Sequence, residues 1–231
     1  MTNFIEQISN DLTKANIQKY WTNFELVAYG LFDEKNVYLF NHPNYCGDTY
    51  QIVTKDDQFI GCTLILFEEY PTAIIDMRLY DEYEELYSLV VHELFHGYQY
   101  IRGENRFPDE IMGMTYPLLQ ENIELRSRER KMLYNAVLLD DLAEKRKCIN
   151  EFITIREKRA DKMKEYLLYE NFTETIEGPA FYIEYKAYTQ MSISRTTHNI
   201  LEKYAEILLN EHESSLYIRK SCYGSGLFLC L

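Results

Sequence analysis

An α+β fold is predicted for this 231-residue chain: a small, mostly antiparallel sheet beside one central helix, then a mostly helical region with a long helical hairpin. Three features predict it. Short runs rich in β-branched and aromatic residues crowd residues 36–78, a helix-like stretch without proline follows from Asp81, and residues 118–168 are rich in Leu, Glu, Arg and Lys at helical spacing. With 46% hydrophobic and 26% charged residues the chain can bury a core, which excludes disordered and fibrous classes. Its size suits a single domain over 1–231, with 118–168 as a helical hairpin insertion.

In chain order, Phe4, Ile5, Ile8, Leu12, Ala15, Ile17 and Tyr20 recur at three- and four-residue steps, predicting an amphipathic helix between Asn3 and Phe24. The strand candidates are VYLF, QIV, FIGCTLILF and TAIIDM, separated by NHPN, KDD and EEYP. From Asp81 to Arg102 the only breaker is Gly97, and Asp81, Glu82, Glu84 and Glu85 suit a helix N-terminus. Pro108 and Gly113 mark a loop. The hairpin that follows is expected to turn near Asp140-Asp141, and a new helix is expected to start around Thr175 to Pro179, where proline is tolerated in a first turn. Thr197 to Asn210 completes the helical set. The chain stops inside the apolar run GLFLCL, which reads as an element cut short and predicts a truncated C-terminus.

The net charge of −13 predicts repulsion from phosphate backbones and anionic lipid, so neither nucleic acid nor membrane is an expected partner. Cys46, Cys62, Cys148, Cys222 and Cys230 are an odd, widely spaced set and read as reduced thiols. No secretory leader is visible at the N-terminus, and no stretch is apolar enough to span a bilayer. A cytoplasmic protein is expected.

The chemistry concentrates in His92-Glu93-Leu94-Phe95-His96, an HExxH run. On an α-helix the i,i+4 spacing brings both imidazoles to one face, roughly 6 Å apart, where two nitrogens can reach one Zn²⁺. Glu93 is turned about 100° from His92, which suits a base over an open metal position better than a third ligand. With 5 His in the chain, chance supplies roughly 0.01 such matches. On the helical wheel Tyr83, Leu86, Tyr87, Val90, Leu94 and Tyr98 form an apolar stripe. Glu85, Ser88, His92, His96 and Gln99 lie opposite, so the histidines are expected to face away from the core. A plain solvated face is the competing reading; a metal helix at the floor of a cleft is favoured.

A strand-rich segment leading into a helix with HELFH resembles the gluzincin-type zinc metallopeptidases, in which two histidines and one later glutamate hold the metal. Metzincins are set aside because their glycine and third histidine positions hold Gln99 and Arg102 here. The peptide deformylase type lacks its cysteine-containing partner motif, and the sequence that marks gluzincin aminopeptidases is not visible. The resemblance implies zinc as cofactor, Glu93 as general base, and a glutamate in a phrase such as Glu-Gly-x-Ala followed by an aromatic. Glu177-Gly178-Pro179-Ala180-Phe181-Tyr182 matches that phrase, which makes Glu177 the expected third ligand. Gly178 and Ala180 are small enough to let two helices approach closely.

Glu124 and Glu121 lie nearer in sequence and stand as alternative ligands, or as carboxylates steadying an imidazole. The resemblance also implies a Tyr or His oxyanion donor, for which Tyr185, Tyr188 and His198 are candidates. Gln99 could bond a ligand or substrate, while His42 and His212 read as incidental. The basic runs Lys145 to Lys147 and Arg156 to Arg159 read as a salt-bridged outer face. The expected activity is zinc-dependent hydrolysis of a peptide or protein substrate, with a sheet-edge strand near Thr63 to Phe67 holding it by backbone pairing. Two alternatives remain open: a non-catalytic, zinc-stabilised helical interaction protein, and a metal hydrolase acting on a non-peptide amide or ester.

Overall fold

A computed structural model describes residues 2–45, 49–210 and 216–231. The fold is α+β: among the described residues there are a five-stranded mixed sheet and seven helices, and the structure is 62% helical. Its residues divide into two compact units, one formed by 1–105 and 183–194, the other by 106–182 and 195–231.

The first unit opens with helix α1 (Thr2–Lys14), whose Ile5, Ile8 and Leu12 are buried. The expected helix reaches Phe24, but α1 ends at Lys14 and a 3-10 turn follows over Ile17–Lys19. The spacing misled because Tyr20 and Phe24 also point into the core, from irregular chain that includes Asn23 at φ 61°. The strands are β1 (Ala28–Phe32), β2 (Asn36–Phe40), β3 (Gln51–Thr54), β4 (Thr63–Phe67) and β5 (Tyr70–Asp76), in the order β3-β2-β1-β5-β4. Three pairings are antiparallel; β1 and β5 run parallel, Ala28 opposite Thr72. Central β1 is buried along its whole length, so it lacks the alternation that reveals a half-exposed strand, and it precedes the region where strands are expected. FIGCTLILF forms a strand only from Thr63, since Gly61 at φ 71° breaks the run.

Helix α2 (Tyr83–Ile101) packs on β5 and β4. Its other side is covered as well: the Phe95 ring meets Trp21 at 5.4 Å and Phe24 at 5.3 Å. The HExxH helix therefore has no broad solvated face, and His92 is only 4% exposed. Gly97 makes the close packing possible, because a Cβ there would lie 2.3 Å from Val27 Cγ2.

The second unit holds α3 (Glu110–Met114), α4 (Gln120–Leu138), most of α5 (Leu142–Met191), α6 (Thr197–Leu209) and α7 (Ile218–Cys230). The hairpin turns where expected: Asp141 Oδ1 accepts from the amides of Ala143 and Glu144 at 2.9 Å and starts α5. Its second arm does not stop near Leu168. α5 runs unbroken for 50 residues, with Pro179 inside it rather than in the first turn of a new helix. The missing amide of Pro179 is tolerated in a helix that tertiary packing holds on both sides of it: Ile176, Glu177, Ala180 and Ile183 are all buried. Gly178 does bring two helices together, since a Cβ on it would lie 2.5 Å from Gly226 Cα on α7. Arg156 to Arg159 is an outer face only in part: Glu157 and Lys158 are exposed and Lys158 pairs with Glu121 at 3.6 Å, whereas Arg159 is 1% exposed and sits in an ionic network with Glu129 and Glu170.

Gly97→Ala is expected to destabilise the fold by about 1–3 kcal/mol, the cost of overpacking outweighing the ~1 kcal/mol helix-propensity gain. Chemical denaturation of the variant checks this. Glu170 is fully buried, yet its guanidinium neighbours hold its carboxyl down at about 2. Its contribution to stability is therefore complete above the ordinary carboxylate range and lost as pH falls from about 4.5 towards 2. A thermal midpoint that falls less steeply with acid in Glu170→Gln than in the parent protein is the expected result.

Candidate metal centre

His92, Glu93 and His96 sit in the middle of α2, each held by the packing of that helix. The ring centroids are 4.8 Å apart and the two Nε2 atoms approach to 3.0 Å. Both outer nitrogens are engaged: His92 Nδ1 meets Glu184 Oε2 at 2.8 Å, and His96 Nδ1 meets Gln99 Oε1 at 2.8 Å. Carboxylate and amide oxygens only accept, so each Nδ1 carries the proton. Neutral imidazoles then present two Nε2 lone pairs to one point, an arrangement that repels itself unless a cation or an extra proton stands between them.

The residues fit a metal. Two nitrogens bound at about 2.0–2.1 Å to a tetrahedral Zn²⁺ lie about 3.3 Å apart, close to the separation found, and a histidine ligand ordinarily donates its other ring N–H to a carboxylate or carbonyl. Glu184 occupies the carboxylate place for His92 and Gln99 the carbonyl place for His96. Glu184 is steady because the last turns of α5 are anchored within the first unit. Lys186 Nζ donates to the carbonyls of Lys19 at 2.8 Å and Tyr20 at 3.1 Å, and the Tyr20 hydroxyl donates to Gln190 Oε1 at 2.8 Å.

Around this pair the first unit adds Glu93, 6% exposed, and two groups that feel its charge. Tyr80, which follows β5 after a short 3-10 turn, has its phenol pushed above the ordinary range by burial and by the nearby carboxylates of Glu184 and Glu93, so it keeps its proton at neutral pH. Burial, with Glu93 and Asp76 adding, pushes the Cys62 thiol up to about 11, which makes it a neutral neighbour rather than a thiolate ligand.

Comparison with known protein families, curated proteins and solved structures finds no match.

The other expected residues fall as follows. Glu177 lies in the second unit, 4% exposed, its Oε1 accepting from Arg219 Nη2 on α7 at 2.8 Å. It shares a face of α5 with Glu184, seven residues or about two turns further along. Glu121 and Glu124 lie on the exposed side of α4: Glu121 pairs with Lys162 at 2.6 Å and Glu124 accepts from Gln120 at 3.0 Å. Tyr185 and Tyr188 are buried in the first unit, while His198 is exposed on α6 beside Glu202. His42 is a satisfied core histidine, Nε2 3.0 Å from the Phe67 carbonyl. His212 and Cys46 lie outside the described residues.

Sequence reasoning missed Glu184 and Tyr80. The i,i+7 step from Glu177 could have found Glu184 had α5 been read as continuous. Tyr80 carries no such signal. Glu184→Ala is expected to remove the hydrogen-bonded His92 Nδ1–H resonance from the low-field proton NMR spectrum, leaving the His96 signal in place.

Proposed function

We propose that the chain is a zinc-dependent hydrolase of peptide bonds, in which His92, His96 and Glu177 hold the ion and Glu93 is the general base. The observation that carries the reading is the pair of Nε2 lone pairs converging at 3.0 Å with both Nδ1 protons already committed. Two neutral imidazoles with one carboxylate are a donor set of catalytic zinc sites, three protein ligands leaving a position open, and imidazole with carboxylate favours zinc over magnesium or calcium. The likeness of HELFH and EGPAFY to the gluzincin pattern supports the same set.

Bound there, Zn²⁺ would lower the pKa of a water towards 7 and polarise a carbonyl. The protein supplies the rest. Glu93, one helical step from His92 and buried, accepts the proton of the attacking water and passes it to the leaving amine. Glu184 keeps the His92 ring in the tautomer that offers Nε2, and Gln99 does so for His96. Tyr80, which keeps its proton at neutral pH, is the donor we assign to steady the oxyanion.

The substrate we infer is a peptide in extended form. β4 is an edge strand of the sheet and packs against α2, so its outer backbone groups offer a pairing line along the metal helix. Among the described residues no helix is long and apolar enough to cross a membrane. The excess of acidic residues speaks against nucleic acid, and with unpaired cysteines it supports a cytoplasmic location.

Purified protein is expected to carry close to one zinc per chain, and His96→Ala to lose it; full metal content in that variant rejects the site. Glu93→Gln is expected to keep the metal while hydrolysis of a casein or peptide-library substrate falls at least 100-fold, within the range removed with a general base. Glu177→Ala should weaken zinc binding far more than Glu124→Ala, measured by competition with a chromogenic chelator, and the reverse order would reassign the third ligand.

A further inference from the structure

The second unit has an ionic core, in which Arg126, Arg156 and Arg159 meet Glu129, Glu170 and Glu174. A separate open cavity of about 430 Å³ is lined by residues of α3, α5 and α7 and by the two residues that precede α7. That volume falls within the range of small-molecule sites, roughly 300–1,000 Å³. Its wall is closely packed: a Cβ on Gly113 would lie 2.5 Å from the Tyr169 hydroxyl. Met114, Leu216 and Tyr217 line it as exposed apolar groups. Among the described residues its charged lining is Glu110, Arg219 and Lys220, two cations against one carboxylate in a chain of net charge −13.

Arg219 is held by two carboxylates of different standing. Its Nη2 donates to Glu177 Oε1 at 2.8 Å, and its Nη1 donates to Glu110. The Glu177 side chain is 6% exposed and that of Glu110 58%. An ion pair as exposed as the second contributes little, because water screens it and solvates the carboxylate equally well once released. Glu110 is therefore the exchangeable partner. Tyr169 also bonds Arg219, and since a guanidinium only donates, the phenol oxygen accepts and its own proton stays available. Burial, with Glu110 adding, pushes that phenol above its ordinary range, so the proton is present at neutral pH.

We propose that this cavity binds a small organic carboxylate with an apolar or aromatic body, its carboxylate replacing Glu110 on Arg219 Nη1. The exchange conserves charge at the guanidinium, because one carboxylate arrives as another moves into water. The ligand gains what Glu110 lacks, an apolar body that covers Met114, Leu216 and Tyr217. Guanidinium and phenol together give the incoming carboxylate charge-assisted and neutral hydrogen bonds. The C-terminal residue of a peptide presents the same chemistry as a free acid. No metal ion is required.

The test is calorimetric titration of the full chain with 3-phenylpropionate, with its neutral analogue 3-phenylpropionamide, and with acetyl-Gly-Gly-Phe. Each is repeated in His96→Ala, where a carboxylate has no ion to bind at the metal centre. Both acids are expected to bind about 10-fold or more tightly than the amide, in either protein. Tighter binding of the peptide identifies a chain end as the ligand, and tighter binding of phenylpropionate a free acid. Glu110→Ala should tighten binding about 3-fold by vacating Nη1, and Arg219→Gln should weaken it about 10-fold or more. The probe ring should show nuclear Overhauser contacts to the Met114 methyl. Equal affinity for acid and amide, no binding of either acid at millimolar concentration, loss of binding in His96→Ala, weaker binding in Glu110→Ala, or no contact with Met114 would each overturn the proposal. If Arg219→Gln does not fold, the Glu110→Ala titration and the Met114 contact decide.

Discussion

Two imidazoles whose inner nitrogens face each other at 3.0 Å, each with its outer nitrogen already bonded to an acceptor, set the terms for the first unit. Left alone, such a pair is electrostatically unfavourable. Either ring could relieve it by rotating, but each is held: His92 by a carboxylate whose helix end is itself tied down through Lys186 and Gln190, His96 by a glutamine one turn along its own helix. The protein thus fixes a concentration of lone-pair density in place. For the proposed metal site, holding ligand atoms in advance of an ion would reduce the reorganisation that binding costs, which makes the acceptors behind the rings as important to that proposal as the rings.

The sheet and the aromatic residues around α2 supply the rigidity this requires. β5 and β4 cover one side of the helix and Trp21 and Phe24 another, so an error of one residue in its position would have to move two packed layers. Gly97 is part of the same device. It follows His96 directly, and the absence of a side chain there lets the helix settle against Val27 rather than stand off from it. The amphipathic reading of α2 puts the histidines on a polar face opposite the apolar stripe, and the burial of His92 and Glu93 shows that this face is not simply solvated. Polar spacing in one helix does not distinguish bulk water from a buried site lined by other polar groups, because both place the same residue types on one side.

The same distinction separates what was legible elsewhere. The strands of β2, β3 and β5, the central helix and the turn at Asp141 all follow from local chemistry: β-branched runs, a stretch free of breakers, an N-cap. β1 stayed hidden because a strand buried on both faces has no alternation to read, and AYGLF is too short for its apolar character to stand out. Pro179 misplaced a helix start, since the tertiary contacts that let the helix continue past it come from residues distant in sequence. His92, Glu93 and His96 are legible because three residue types at fixed spacing seldom arise by chance, whereas Glu184 is visible only once α5 is known to be one helix.

α5 joins the two themes of the molecule. Along one face it carries Glu177 and Glu184, and nearer its start it carries Arg156, Arg159, Glu170 and Glu174 of the ionic core. A helix interrupted at Pro179 would uncouple these positions. Within the continuous helix Glu177 and Glu184 stand seven residues, about two turns, apart on one helix face. The spacing of these acidic groups along the chain is thus a matter of helix geometry, which varies little, instead of loop conformation, which varies a great deal. The Gly178 contact with Gly226 then fixes the α5 backbone beside Glu177 against α7, which carries the arginine that engages Glu177.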